Sequence, residues 1–241
     1  MRVSIIIPVY NEAKTVGEVL RRVLALPIEK EVIVVDDGST DGTAEAIVAH
    51  GGPGLTSIRL ARNAGKGCAI REGLEAAAGD YILIHDADLE LLPEETPDLL
   101  ARIAEGRGPV VYGSRFLRGR GRAPWGNYVG NRLITAWANL LYGSSLTDVS
   151  TAYKLFPRRL VEALDLQCTR FEFCMEITAK LCRLGIAIEE VPVTYTPRTN
   201  GSGKKLRYFR DGVRAAWTLL RWRLWRPAPA QAVSVPRPRA T

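Results

Sequence analysis

Histidine is nearly absent from this chain; His50 and His85 are its only two. An imidazole-rich metal centre is therefore not expected. Cysteine is also scarce. Cys68, Cys168, Cys174 and Cys182 make no C-x-x-C pair and have no His/Cys cluster around them, so they read as four reduced, packed thiols of a cytosolic protein. No window reaches the ~20 consecutive apolar residues that a membrane-spanning helix needs. The apolar opening, residues 1–10, is short, is broken by Pro8 and Asn11, and lacks a small-residue cleavage site. It reads as a buried first strand and not as a signal peptide, so a cytoplasmic protein is the expectation. The chain has no internal repeat, no Walker A spacing and no nucleic-acid recognition motif.

The chain has 241 residues, 46% hydrophobic and 24% charged, enough for one large domain with a possible appendage. Its net charge of +7 is local. Residues 204–226 carry eight Lys or Arg against Asp211 alone, and the remainder balances to zero. A nucleic-acid binder would more often spread basic residues over its folded body, so nucleic acid is not an expected partner.

Four Val- and Ile-rich runs, 3–9, 32–36, 56–60 and 81–86, alternate with helical patterns at 15–26, 43–50 and 66–78. Continuous apolar runs alternating with helices predict a parallel sheet covered on both faces, an α/β domain of the doubly wound kind. Further on, 109–113, 153–156 and 188–193 read as strands, and 131–141 and 173–184 as helices. After Arg226 the chain is rich in Pro, Ala and Val, and 227–241 reads as a disordered tail.

Ligands of such sheets bind beyond the carboxyl ends of the strands, and polar residues collect there. Asp86-Ala87-Asp88 with Glu90 follows the fourth run. Carboxylates one residue apart at a strand exit suit a hard divalent cation that shares its coordination with substrate phosphates; an acidic turn or helix cap fits the same residues. Asp36-Asp37-Gly38-Ser39 reads either as a capping turn or as a carboxylate for a nucleobase or ribose. Arg62 to Gly67 puts two glycines and Lys66 at a helix start, which suits an anion or a tight turn equally.

The combination is more specific than its parts. Pro-Val-Tyr-Asn-Glu at 8–12, Val-Asp-Asp-Gly-Ser-Thr-Asp-Gly-Thr at 35–43, Asp-Ala-Asp at 86–88 and Gly-Ser-Arg-Phe at 113–116 stand in order. Together they resemble family 2 glycosyltransferases. Within that family the chain is most similar to the dolichyl- and polyprenyl-phosphate mannosyl- and glucosyltransferases. The later signals are 147–154, 173–176, and Val-Pro-Val-Thr-Tyr at 191–195 leading to Arg198 and Lys204; the resemblance spans about 1–215.

The resemblance implies a GT-A nucleotide-sugar fold over 1–203 and inverting transfer of a hexose from GDP-mannose or UDP-glucose to a polyprenyl phosphate. It implies that Pro8, Tyr10, Glu12, Val35 and Asp37 hold base and ribose, and that Asp86, Ala87 and Asp88 meet sugar and diphosphate. Mg²⁺ or Mn²⁺ is implied on Asp88 and Glu90, with Asp86 in or near its shell. Arg115, Arg198 and Lys204 are implied as phosphate contacts, with Arg132 and Arg198 on the acceptor side. The family often has Gln where Glu90 stands, and Val149-Ser150-Thr151 departs from its usual patterns.

A lipid monophosphate is already anionic and needs cations to hold it; a sugar hydroxyl would need a general base, for which Asp148 is the candidate. In the basic segment 204–226, Phe209, Val213, Ala216, Trp217, Leu220 and Leu224 recur at helical spacing, flanked by Arg210, Arg214, Arg221 and Arg223. This reads as a helix in the plane of an anionic membrane, and alternatively as a terminal helix packed on the protein itself or a partner. Gly201-Ser202-Gly203 reads as a hinge that brings Lys204 over a bound donor. A peripheral enzyme on the cytoplasmic face of the membrane is the expectation. Its rivals are a same-fold transferase with a soluble hydroxyl acceptor and a non-catalytic sugar-nucleotide-binding subunit. The apolar side of 131–141 offers a contact for the protein's own core or a second copy.

Overall fold

The computed structural model describes residues 1–198 and 208–226. Lys204, the 201–203 glycine segment and the 227–241 tail lie outside the described residues. Seven strands form one sheet: β1 (Val3–Val9), β2 (Lys30–Asp36), β3 (Leu55–Arg59), β4 (Tyr81–Ile84), β5 (Val110–Ser114), β6 (Lys154–Pro157) and β7 (Ile188–Pro192), in the order β3-β2-β1-β4-β6-β5-β7. β6 alone runs against its neighbours β4 and β5; the other pairings are parallel.

The sheet is apolar on both faces because its strands are buried on both. Ile5, Ile7, Val32 and Val34 face one cluster, with Val16, Leu20 and Val23 of α1 (Val16–Leu24) and Leu99 of α4 (Thr96–Ala104). The alternate residues Ile6, Ile33 and Val35 face another, with Ile70 and Leu74 of α3 (Lys66–Ala76), Leu160 and Leu164 of α6 (Leu160–Leu164) and Ile177 of α7 (Phe173–Arg183). This two-sided burial matches the continuous apolar runs of the sequence. α2 (Thr43–Ala49) completes the first half.

A third cluster lies off the sheet, where α5 (Trp125–Tyr142) and α7 meet α8 (Tyr208–Trp222). Ala138, Met175, Ala179, Ala215, Leu219 and Trp222 fill it. α7 is tied to the loop before it by a buried pair. Glu176 lies 2.7 Å from Lys180 and accepts from the Gln167 and Cys168 amides, while Lys180 stands 3.9 Å over the Trp222 ring.

Two helices escaped the sequence reading. α4 follows a 3-10 turn at Pro93–Glu95 and has Pro97 in its first turn, a position where proline's missing amide costs nothing. α6 has five residues, too few for a helical period to show. α5 begins at Trp125 and not at Asn131, so it is longer than its apolar pattern implied.

Candidate active site

The parallel strands deliver their carboxyl ends to one rim, and reversed β6 brings its entry to the same rim, since Lys154 at its start pairs with Ile84 at the end of β4. A cavity of about 480 Å³ opens there. β1 contributes Pro8, Tyr10 and Glu12, β2 Asp37, β4 the segment Asp86 to Glu90, and the approach to β6 Ser150 and Ala152.

The loops are fixed to one another through backbone amides. Asn11, at φ 50°, donates its amide to Ser39 Oγ (2.9 Å), and Glu12 donates to Thr43 Oγ1 (2.8 Å). Asp37 accepts from the Ala64 amide (2.7 Å) and the Gly65 amide (2.8 Å), so this carboxylate holds the 62–65 loop as well as facing the cavity. Gly65 sits at φ 103°, and a Cβ there would lie 2.4 Å from the Thr169 carbonyl oxygen. At Gly67 the corresponding distance to the Cys168 oxygen is 2.3 Å. The glycines thus permit a backbone-to-backbone contact between two cavity loops, and the signal for that was legible while its purpose was not.

The acidic segment turns sharply at Leu89, φ 60°, with Asp88 Oδ1 accepting the Glu90 amide at 3.1 Å. Thr15 Oγ1 anchors the segment by donating to the Ala87 carbonyl (2.7 Å). Lys66 Nζ lies 2.5 Å from Asp86 Oδ1. Burial alone would push the Asp86 carboxyl up, but the Lys66 ammonium outweighs it and holds the carboxyl below its ordinary range. Arg198 reaches Glu12 at 2.9 Å and Asp88 at 3.4 Å, and its amide donates to Glu90 Oε1 at 3.1 Å. Its buried Nε has no hydrogen-bond partner among the described residues.

Arg115 enters from the end of β5. Asp148 grips it with two oxygens, at 2.7 and 2.8 Å, and also accepts from Asn131 at 2.9 Å. Asp148 is fully buried; burial raises its carboxyl, but Arg115 outweighs that and keeps it ionised below the usual carboxylate range.

Pro8, Tyr10, Glu12, Asp37, Asp86, Ala87, Asp88, Glu90, Arg115 and Arg198 all line the cavity. Three expected residues do not. Val35 is buried against the α3 side of the sheet, because alternation along β2 sends its neighbour positions to the other face. Arg132 is exposed on α5 and donates to the Thr147 carbonyl at 3.1 Å. Asp148 stands behind Arg115, so it orients that guanidinium and is not placed as a base for an acceptor hydroxyl. The expected metal ligands, Asp88 and Glu90 with Asp86 in or near the shell, stand together on the segment after β4. Among the described residues no group of three His, Cys, Asp or Glu side chains is spaced to hold a metal ion by itself, and Asp86 is paired with Lys66. Asp88 and Glu90 remain as hard oxygen donors. Magnesium is commonly held by one or two carboxylates with the rest of its shell from phosphates and water, so this pair fits it.

The cavity also has Lys66, which the sequence left between an anion contact and a tight turn, and walls that sequence reasoning did not assign to it: the run Arg170-Phe171-Glu172 before α7, and Arg210, Asp211 and Arg214 at the start of α8. A strand-end carboxylate cluster facing a cationic wall, on a mostly parallel sheet, defines a site for a phosphate-rich ligand.

The family model described as Glycosyl transferase family 2 matches residues 4–165, and the chain belongs to that family. It is 30% identical over 240 residues to the low-salt glycan biosynthesis hexosyltransferase Agl6 of Haloferax volcanii, covering 97% of this chain and 55% of that protein. The chain thus spans about half the length of that relative. It is 32% identical over 212 residues to glycosyltransferase AglJ of the same organism, covering 87% of this chain and 68% of that protein. Glucosyl-3-phosphoglycerate synthase from Mycobacterium tuberculosis, solved with UDP, superposes with a TM-score of 0.71 at 21% identity, over 92% of this chain and 79% of that one. Mannosyl-3-phosphoglycerate synthase from Rubrobacter xylanophilus superposes at 0.70 with 22% identity, over 92% and 73%. The fold is the α/β glycosyltransferase fold of these enzymes.

Proposed function

We propose that this chain transfers a hexose, mannose or glucose, from a nucleoside-diphosphate sugar to the phosphate of a polyprenyl phosphate, with inversion. The name of the Haloferax relative supports a hexose, and the Mycobacterium neighbour, solved with Mn²⁺ or Mg²⁺ and UDP, supports a metal-assisted nucleotide donor. The observation that carries the acceptor is the composition of the cavity wall. Lys66, Arg115, Arg170, Arg198, Arg210 and Arg214 face the strand-end carboxylates, while the candidate base Asp148 is buried under Arg115. A phosphate acceptor needs cations to hold it in line and no base to deprotonate it.

In this reading Pro8, Tyr10, Glu12 and Asp37 receive the nucleoside. Lys66 keeps Asp86 ionised and aimed into the cavity, where its other oxygen accepts from a sugar hydroxyl. Asp88 and Glu90 would hold Mg²⁺ or Mn²⁺, which neutralises the departing diphosphate. Arg115, fixed by Asp148, and Arg198 take phosphate oxygens; Lys204 remains a candidate for the same task. An acceptor phosphate oxygen forms the new bond to the anomeric carbon as the bond to the nucleoside diphosphate breaks on the opposite side. No proton transfer is required.

The test is transfer from labelled GDP-mannose and UDP-glucose to undecaprenyl phosphate in detergent with Mg²⁺ or Mn²⁺, beside Asp88→Ala. A lipid-linked product that disappears in Asp88→Ala is expected. Metal-dependent nucleotide binding without product from either donor would overturn the lipid acceptor in favour of a soluble one.

A further inference from the structure

Two adjoining helices leave apolar stripes uncovered. On α5 these are Trp125, Val129, Leu133 and Leu140; on α8 they are Val213, Trp217, Leu220 and Leu224 just beyond its end. Leu140 is 76% exposed and Trp217 64%. The positions step by three, four or seven residues, so each set runs along one side of its helix. The helices touch where Trp137 donates to the Ala216 carbonyl (3.2 Å) and Tyr142 to the Leu219 carbonyl (2.6 Å). Leu133 and Leu140 lie one turn either side of Trp137, and Val213 and Leu220 one turn either side of Ala216. Both stripes border the contact line and make one face.

The rim of that face is cationic. Residues 117–147 hold Arg118, Arg120, Arg122 and Arg132 and no acid, and residues 208–226 hold five arginines with Asp211 as their one acid. Arg118, Arg122, Arg210, Arg214, Arg221 and Arg223 are exposed, and Arg120 stacks on Trp125 at 4.6 Å. A second copy docked here would oppose one arginine rim to another. An anionic lipid surface supplies both the apolar interior and the countercharge that this face lacks. Arg210 and Arg214 also line the cavity, so the site opens beside the face.

We infer that the α5–α8 face seats this chain on an anionic bilayer, with the cavity mouth at the level of the lipid headgroups. The polyprenyl-phosphate reading supplies the reason for such seating. The face is tested separately from it.

The full chain is floated with vesicles of phosphatidylcholine, with and without phosphatidylglycerol. Salt-sensitive flotation with the anionic vesicles and a blue shift of tryptophan emission are expected. The combined variant Leu133→Ser, Leu140→Ser, Trp217→Ser loses vesicle affinity by about tenfold or more. It keeps the wild-type thermal transition and the wild-type rate with a short-chain, water-soluble prenyl phosphate. Wild-type chain that floats with neither vesicle, or that forms a dimer which the combined variant converts to monomer, overturns the inference and assigns the face to a second copy. Flotation of wild type without transfer to the short-chain acceptor upholds the face and defeats the acceptor reading.

Discussion

Arg198 touches three acidic residues: Glu12 and Asp88 through its guanidinium and Glu90 through its amide. It therefore competes with any cation for Asp88 while offering that cation's phosphate partner a donor. Arg198→Met is expected to strengthen Mn²⁺ binding to the nucleotide-free protein several-fold, about 1 kcal/mol for a partly buried pair, and to weaken donor binding. Titration by electron paramagnetic resonance checks the first effect and donor KM the second; parallel weakening of both would count against it. Lys154 is a second residue with a measurable signature. It is fully buried over the Tyr112 ring at 3.4 Å and donates to the Val149 carbonyl at 3.1 Å. Burial, only partly offset by Cys174, Asp148 and Glu190, pulls its ammonium down to about 8. A folded-state value below the unfolded one means that the unfolded chain binds more protons between the two. Stability from this group is thus lowest below about pH 8 and rises toward the ordinary lysine value. The unfolding free energy of the wild type relative to Lys154→Met should rise by up to about 3 kcal/mol across that window, read by denaturant titration at several pH values. At this scale the sequence showed which residue types gather at the strand ends. It did not show their partners: Lys66 on Asp86 and Asp148 under Arg115 are pairings that only the assembled rim creates.

The elements of the first half were legible because each apolar run lies in a sheet buried on both faces, and the runs mark β1, β2, β3 and β4 within a residue or two. Strand direction was not legible. Nothing in Lys154–Pro157 says that β6 runs against its neighbours, yet that reversal is what brings Ser150 and Ala152 to the cavity. α4 was not read from the sequence, although Pro97 stands where helices accept it. α8 is apolar on two sides. Leu219 and Trp222 turn inward, as the reading of a terminal helix packed on the protein has it, and Val213, Trp217 and Leu220 point outward. Element contacts also make one substitution diagnostic. Gly67→Ala places a methyl 2.3 Å from the Cys168 oxygen, and the loops that hold Lys66 and Arg170 must part. A loss of about 1–3 kcal/mol by thermal unfolding and a raised donor KM are expected. A variant with wild-type stability would show that the two loops are not in firm contact.

At the level of the whole molecule, sequence distance hides the site. Asp88 and Arg214 are 126 residues apart in the chain and line one cavity because α8 packs on α5 and α7. No helix among the described residues is long and apolar enough to cross a membrane, and the proposed seating rests on the exposed α5–α8 face. α8 carries the cavity arginines Arg210 and Arg214 on the same fifteen residues as outward-facing Trp217. On the proposed seating, such a helix would tie turnover to a two-dimensional search. An acceptor confined to the same surface is counted per unit area and not per unit volume. At saturating donor, diluting the polyprenyl phosphate with inert anionic lipid should slow transfer even when its bulk concentration is unchanged. Diluting the whole suspension, with the chain still fully vesicle-bound, should leave the rate per bound molecule as it was.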